Sequence, residues 1–465
     1  MWIGIDDTDS RDGGCTTYVA NILLQQLIDQ NIDVIGYPRL VRLNPNIPWK
    51  TRGNGAISFQ IGKGIGTKIT IGETNHRPLC GYTSAARDSF TDEEIRNVQH
   101  LLETIIEDQA RMTDENTNPG FVMLSHQPSL TVYEHAVHEI MTVTDCTTVI
   151  DKGKGIYKGY KNGRGLIGAT ASIAWVANHD KTYELITYRQ KAAWRTPRSI
   201  DEQSVREMDA TFPLTFDNYD YENNHNRIMP NSPCPILYGI RGDSVTELQQ
   251  TYQWVRSEPV SSWLLFETNQ GTDDHLQRKT IKDIHPWQSV IVDGVISHNP
   301  DTIKGGHVVF RLQDTTGEID CIAYEPTKQF RTRIRLLKKG DHVIVYGGVR
   351  KHPLTVNLEK IKITHLVSID EKIENPVCPH CGKHMKSRGK NQGFKCIVCG
   401  TKSTTPVIQR KTREINMGWH EVPVCARRHL SKPLKRMKKM EDKHDPSACN
   451  NKRTHQTDHV RPYDC

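Results

Sequence analysis

The sequence predicts a multidomain α+β protein: two units mixing helices and strands, then a β-barrel, a metal-holding ribbon and a basic tail. Three observations carry this reading. At 465 residues the chain is long for one core, because domains run to roughly 100–200 residues. Helix and strand patterns alternate as far as Glu267, then strand patterns take over from Gln288 to His365. Two Cys-x-x-Cys pairs follow, Cys378/Cys381 and Cys396/Cys399.

The first unit opens with a short strand, Trp2 to Ile5, running directly into the acidic loop Asp6, Asp7, Thr8, Asp9. A helix starts near Thr16, with Ala20, Leu23, Leu24, Leu27 and Ile28 at helical spacing. Strands at Asp33 to Leu43 and Gly55 to Ile61 and a second amphipathic helix at Asp92 to Ile106 complete an α/β or α+β layer. The Thr/Asn/Asp-rich stretch Thr113 to Pro119 reads as a domain break. Beyond it we expect strands at Gly120 to Leu124 and Cys146 to Ile150, a helix around Thr131 to Met141 and a small-residue helix from Ala169 to Ala177. Strands Tyr183 to Tyr188, Cys234 to Arg241 and Trp263 to Glu267, with a helix at Ser244 to Val255, suit an α+β sandwich on an antiparallel sheet. Between Gln288 and His365 the order is three strands, a basic helix (Gln329 to Lys338) and two strands. That is the order of an OB-fold barrel, a fold that most often carries oligonucleotides.

Composition bounds the function. No apolar run approaches the roughly 18–20 residues of a membrane span, and the opening MWIGIDDTDS has no basic n-region or apolar h-region. A soluble, cytoplasmic protein with no membrane association is expected. The net charge of +7 is unevenly placed: residues 376–465 hold 20 Lys+Arg against 7 Asp+Glu, so residues 1–375 are net acidic. The basic end is the part suited to a polyanion. Of the twelve cysteines, Cys15, Cys80, Cys146, Cys234 and Cys321 are scattered without pattern, which reads as a metal site with free thiols elsewhere and not as a disulfide framework.

Cys378, Cys381, Cys396 and Cys399 form two knuckles, each followed by glycine. Two residues between thiolates let one tight turn present both sulfurs, and two such turns close a tetrahedron around zinc. Four thiolates leave no open position, so the zinc is structural; His380 and His384 read as exposed ribbon histidines.

The catalytic candidates lie upstream. Asp6, Asp7 and Asp9 repel one another unless a cation compensates, and magnesium held by carboxylates plus nucleotide phosphates is one answer; an acidic turn capping the helix is the other. Gly13, Gly14, Cys15, Thr16 and Thr17 then deliver two hydroxyls to a helix start, where backbone N–H groups favour phosphate. A second phosphate-type element is Lys152, Gly153, Lys154 and Gly155, followed by Gly163, Arg164 and Gly165. It matches neither the Walker A nor the GxGxxG pattern, yet a basic glycine-rich loop opening onto a helix could cradle phosphates.

Together GIDDTDSRDGGCTTY, GKGIYKGYKNGRGLIGA, PILYGIRGDS, the barrel and the ribbon resemble the archaeal tRNA(Ile) 2-agmatinylcytidine synthetases, in the same order over nearly the whole chain. The resemblance implies an N-terminal ATP-binding kinase-like domain (1–118) and a ferredoxin-like catalytic domain (119–275). An OB-fold nucleic-acid-binding domain (280–370), a zinc ribbon (375–425) and a basic, disordered tail (426–465) follow. It implies an ATP-dependent ligase acting on the wobble cytidine of tRNA(Ile) with a CAU anticodon. The 2-carbonyl oxygen is activated by phosphorylation and displaced by the amine of agmatine, which switches codon reading from AUG to AUA. ATP, magnesium and structural zinc are the implied cofactors, and no obligate protein partner is implied. Thr16 corresponds to a threonine the family phosphorylates. Asp6, Asp7 and Asp9 would hold magnesium and the triphosphate or orient Thr16, and Lys154 and Arg164 would neutralise transferring charge. The acidic loop Asp217 to Glu222 is a candidate for the agmatine guanidinium. A basic, cysteine-containing segment after Cys425 departs from the shorter family pattern. The alternative function is a non-catalytic protein that binds single-stranded nucleic acid through its OB barrel and ribbon.

Overall fold

The computed structural model describes residues 1–86, 90–177 and 180–437. The first two-thirds of the chain is organised by one eleven-stranded sheet. Its strand order is Ile156–Gly159, Gly120–Leu124, Trp2–Asp6, Gly55–Gly62, Asp33–Arg42, Arg77–Ala85, Gly64–Thr74, Val260–Thr268, Thr182–Arg189, Ile236–Gly242 and Thr215–Phe216. Trp2–Asp6 pairs antiparallel with both Gly120–Leu124 and Gly55–Gly62. The stretch expected to separate two domains, Thr113 to Pro119, is therefore a loop inside one sheet. The two halves instead meet where Val260–Thr268 lies parallel to Asp33–Arg42 at Glu267/Arg39 and Thr268/Leu40.

Helices cover both faces of this sheet. Thr16–Asp29 and Asp92–Gln109 share one core with Ile3, Ile5, Phe59, Leu264 and Phe266. The second helix is amphipathic as expected, burying Val98, Leu102, Ile105 and Ile106, each side chain contributing roughly 1.5–3 kcal/mol. On the opposite face Leu130–His138, Val143–Lys152 and Gly165–Ala174 pack on Val122, Leu124 and Ala56. Two helices differ from expectation. Cys146 to Ile150, expected as a strand from its β-branched run, lies inside the helix Val143–Lys152, which a Thr142/Asp145 capping box starts. The small-residue helix begins at Gly165, four residues before Ala169, because glycines allow it to press on the sheet: a Cβ on Gly4 would lie 2.1 Å from the Ala169 carbonyl oxygen.

The OB barrel has the expected order, Ser289–Thr302, Val308–Gln313, Glu318–Ala323, the helix Lys328–Arg335, His342–Arg350 and Thr355–His365. It closes through Ser289–Thr302 with His342–Arg350 and through Glu318–Ala323 with Thr355–His365, around Val290, Phe310, Phe330, Val345 and Ile361. The ribbon is a three-stranded sheet, Lys386–Ser387, Phe394–Lys395 and Lys402–Ser403, beside the pair Ile369–Glu374 and Val407–Lys411.

After the ribbon the chain turns back. Gly418–Glu421 adds a strand to the barrel edge at Thr355–His365, and residues 427–436 then run across to the large sheet. The expectation of a disordered tail from residue 426 thus fails for residues 426–437; the rest of that segment lies outside the described residues. Arg427 pairs with Asp217 and Glu421, Lys432 with Asp180, and Arg436 with Asp180 and Asp243. Asp217, a candidate for agmatine, is engaged by Arg427. Among the described residues Cys15, Cys146, Cys234, Cys321 and Cys425 are free. No helix among the described residues is long and apolar enough to cross a membrane.

Candidate active site

The first strand delivers Asp6 at its end, and Asp7 follows with φ +56°, a left-handed conformation that turns the chain sharply. Asp6 is seated under the helix Gly165–Ala174. A Cβ on Gly168 would lie 1.9 Å from its Oδ2, so only glycine fits there. Asp7 accepts from the Asn118 N–H at 3.1 Å and from the Thr51 hydroxyl at 3.4 Å. Asp9 is held differently: Arg52 Nε donates to it at 2.6 Å and Arg52 Nη2 to the Gly14 carbonyl at 2.7 Å. Gly14, at φ +71°, makes the turn into the helix that carries Thr16. The Thr8 hydroxyl donates to Thr16 Oγ1 at 3.1 Å.

Two cavities adjoin at Asp9. The first, of about 290 Å³, has Asp6, Asp7 and Arg164 at one end and Trp49, Ile140, Met141 and Ile167 along its wall. The Arg164 guanidinium stacks 5.3 Å from the Trp49 ring centroid. Burial first, then the charges of Asp7 and Asp9, hold the Asp6 carboxyl well above the usual carboxylate range. Burial, with the charge of Asp9 added, pushes Asp7 up to about 6, against the Asn118 N–H and Arg164. Buried carboxyls with acidic neighbours are ones whose charged form a bound cation would favour. Their oxygens do not converge with Asp9 into a cage. Among the described residues the one group of three or more ligand-type side chains with donor atoms within 4.8 Å is the four cysteines.

The second cavity, of about 410 Å³, lies at the seam of the two halves. Thr16, Asp9 and Glu184 face it together with Arg42, Arg52, Arg227, Arg241 and His429. Arg42 is clamped at the seam by Asn269, whose Oδ1 accepts its N–H at 2.7 Å and whose Nδ2 donates to its carbonyl at 2.8 Å. Arg42 Nε and Arg52 Nη1 are buried without a hydrogen-bond partner. Such donors are costly to leave unpaired, and a phosphate is the ligand that would satisfy them.

Of the candidates from sequence, Asp6, Asp7, Asp9, Thr16 and Arg164 come together around these cavities. Lys152, Gly153, Lys154 and Gly155 do not. Lys152 ends a helix, Gly153 caps it, Lys154 occupies a left-handed turn, and a Cβ on Gly155 would lie 2.6 Å from Leu124 Cδ2. This loop lines neither cavity, and Gly155 packs closely on Leu124 and Ile150. Reading the sequence alone misses Arg42, Arg52, Glu184, Arg227, Arg241 and His429. The glycine-flanked arginines of Thr51-Arg52-Gly53-Asn54-Gly55 and Gly239-Ile240-Arg241-Gly242 are the signal it offers.

In the ribbon, Cys378 and Cys399 sulfurs lie 3.3 Å apart, Cys381 and Cys396 3.3 Å, and Cys381 and Cys399 3.8 Å. A tetrahedron with Zn–S of about 2.3 Å has edges of about 3.8 Å, so the four sulfurs fit zinc.

A cleft with carboxylates on one side and arginines on the other, at a seam between two sheet halves and tied to an OB barrel and a ribbon, defines an enzyme that handles phosphates on a polynucleotide. The domain families agree. The chain matches the TiaS TCKD domain over residues 2–161, the TiaS FLD domain over 163–275, the OB-fold nucleic acid binding domain over 290–364 and the TiaS C-terminal zinc ribbon domain over 375–415. It is 42% identical to the tRNA(Ile) 2-agmatinylcytidine synthetase TiaS of Methanocaldococcus jannaschii, over 93% of this chain and 98% of the relative. Among solved structures it is similar to a complex of TiaS with its isoleucine tRNA and ATP, with a TM-score of 0.80 at 40% identity. It is also similar to a complex of TiaS with that tRNA, AMPCPP and agmatine, with a TM-score of 0.78 at 37% identity; each alignment covers 94% of this chain and 97% of the other. The chain belongs to the TiaS family of tRNA(Ile) 2-agmatinylcytidine synthetases.

Proposed function

We propose that this chain joins agmatine to the 2-carbon of the wobble cytidine of tRNA(Ile) with a CAU anticodon, as an ATP-dependent ligase forming a C–N bond. The observation that carries the reading is the pair of adjoining cavities of opposite character that share Asp9. The acidic, apolar-walled cavity suits a metal-bound nucleotide: Trp49, Ile140 and Met141 offer a base platform, and Arg164 faces the phosphates. A magnesium ion there would be held by Asp6 and Asp7 with nucleotide phosphates as further ligands, and would neutralise charge on the transferring group.

The arginine-lined cavity suits the phosphates around the wobble nucleotide and the phosphoryl group that crosses to it. Thr16 sits on this side, held by Thr8, with Asp9 fixed by Arg52 at the rim. Phosphorylation of the cytidine 2-oxygen turns that oxygen into a leaving group. The agmatine amine then forms the new bond to C2, the C–O bond breaks, and phosphate departs. An enzyme acting on tRNA in this way works in the cytoplasm.

The test is incubation with ATP, agmatine and a tRNA(Ile) transcript carrying CAU, followed by mass spectrometry of the wobble nucleoside. The expected product is heavier by agmatine less one water and is lost in Asp7→Asn; an unmodified nucleoside with active tRNA binding would leave only a nucleic-acid-binding protein.

A further inference from the structure

We propose that the segment Arg427–Arg436, which follows the ribbon, is part of the active site, delivering the His429 ring to the arginine-lined cavity as a residue that binds a phosphoryl oxygen there. This rests on reading that cavity as a phosphate site and adds to it a residue from the far end of the chain.

The backbone on either side of the ring is clamped. Gly271 N–H donates to the His429 carbonyl at 2.7 Å and Asp273 N–H to the Leu430 carbonyl at 2.9 Å. Leu430 is buried in the core beneath the sheet, 1% exposed. Further along, Lys432 Nζ lies 2.8 Å from Asp180, and Arg436 reaches Asp180 at 2.8 Å and Asp243 at 2.7 Å. Anchors of this number hold a side chain in place; they are more than a solvated basic tail would make.

The ring itself stands open to the cavity, against the Gly53 loop, with Nε2 3.8 Å from where a Gly53 Cβ would be. Arg42, Arg52 and Lys50 of the first half face the region around it, with Arg227, Arg241 and Glu184 of the second half and Arg428 of its own segment. The charge of Arg42, with those of Arg241, Arg227 and Lys50 added, holds the imidazole well below its usual range, so it is neutral before a phosphate arrives. A phosphate there offsets those cations, so the ring takes up a proton and donates it in a charge-assisted hydrogen bond. Phosphate binding is therefore coupled to proton uptake at His429.

Two sources could supply the phosphate: the phosphodiester of the wobble nucleotide and the triphosphate of ATP. Calorimetry of the full-length protein separates them, with a CAU-bearing tRNA(Ile) transcript in one arm and a non-hydrolysable ATP analogue in the other. Each is run near pH 7.5 in two buffers of different ionisation enthalpy. In the arm whose phosphate occupies the cavity, the wild type takes up protons; His429→Ala loses that uptake and binds about tenfold more weakly. His429→Gln, which keeps a donor, recovers affinity without proton uptake. Asp180→Asn, which loosens the anchor without touching the cavity, lowers the uptake, and full uptake in that variant would show that the segment does not deliver the ring. Unchanged affinity and uptake in His429→Ala, with binding weakened in Arg227→Ala, overturns the proposal and leaves the cavity reading intact. If Arg227→Ala also binds normally in both arms, the cavity reading fails as well.

Discussion

At the residue scale, Asp6 and Asp7 carry a conflict that only function explains. Their carboxyls are raised by burial, with the charges of Asp7 and Asp9 added at Asp6 and that of Asp9 at Asp7, so the folded protein holds a proton more tightly than the unfolded chain does. For Asp7, with its ordinary value of 3.8 raised to about 6, the sign follows. The favourable contribution is present at low pH, and stability is lost as pH rises from about 4 to 6. Asp7→Asn removes that loss, so thermal melting at pH 7.5 without ligands should rise while agmatine ligation disappears. Wild-type cation binding should weaken about tenfold per pH unit below about pH 6, where a proton must first leave Asp7; magnesium titration across pH 5–8 reads this directly. Gly168 is the packing counterpart. Gly168→Ala places a methyl 1.9 Å from Asp6 Oδ2, and overpacking of that kind costs about 1–3 kcal/mol. A lowered denaturant midpoint together with lost ligation is expected. The density of carboxylates makes Asp6, Asp7 and Asp9 legible in the sequence. The arginines of the second cavity are not, because Arg42, Arg52, Arg227 and Arg241 are brought together only by the pairing of Asp33–Arg42 with Val260–Thr268.

At the element scale, legibility follows the length and regularity of the pattern. Asp92–Gln109 shows its apolar stripe plainly and is capped by a Thr91/Glu94 box. Thr91→Ala should lower stability by about 1 kcal/mol, read from the shift of the unfolding midpoint. Val143–Lys152 reads partly as a strand because Val, Thr and Ile favour strands locally, and the capping pair Thr142/Asp145 is the signal that outweighs them. The glycines from Gly153 to Gly168 look like a phosphate loop. At Gly155, Gly165 and Gly168 they instead allow close contact with Leu124, Gly120 and Asp6, a reason for glycine that one sequence does not distinguish from anion binding. The ribbon is the opposite case, fully legible from Cys spacing. Its core is only Cys378, Met385, Phe394 and Cys396, too small to order itself without metal. Cys378→Ser should therefore abolish the bound zinc measured by elemental analysis and weaken tRNA binding, while the nucleotide analogue still binds the distant acidic cavity.

Across the whole molecule, the positive charge of the C-terminal end separates into two populations with different work. Residues 376–437 hold 14 Lys+Arg against 2 Asp+Glu, while residues 438–465 hold 6 against 5, so the excess lies in the ribbon and the segment after it. Past the ribbon strands, Arg413, Arg427, Arg428, Lys432 and Arg436 are paired with Asp341, Asp217, Glu359, Asp180 and Asp243. Arg413 and Arg428 fasten this segment to the barrel, and Arg427, Lys432 and Arg436 fasten it to the catalytic half; buried Lys360 and His275 add pairs with Asp273 and Glu359 between the two. In the ribbon, by contrast, the eight Lys and Arg from Lys383 to Lys411 are exposed and make no ion pair among the described residues. These are the charges free to meet tRNA phosphates. Each phosphate contact releases counterions and adds about 0.7–0.9 to the slope of log affinity against log salt. Residues 438–465 carry nearly balanced charge, so their removal should change the salt slope of tRNA binding less than loss of the ribbon cations does. Replacing Lys386, Arg388 and Lys395 by Gln should lower it by about 2–3 units with ATP-analogue binding unchanged. A truncated chain that loses most of its salt dependence, with the triple Gln variant retaining it, would move the RNA-binding charge from the ribbon to the last 28 residues.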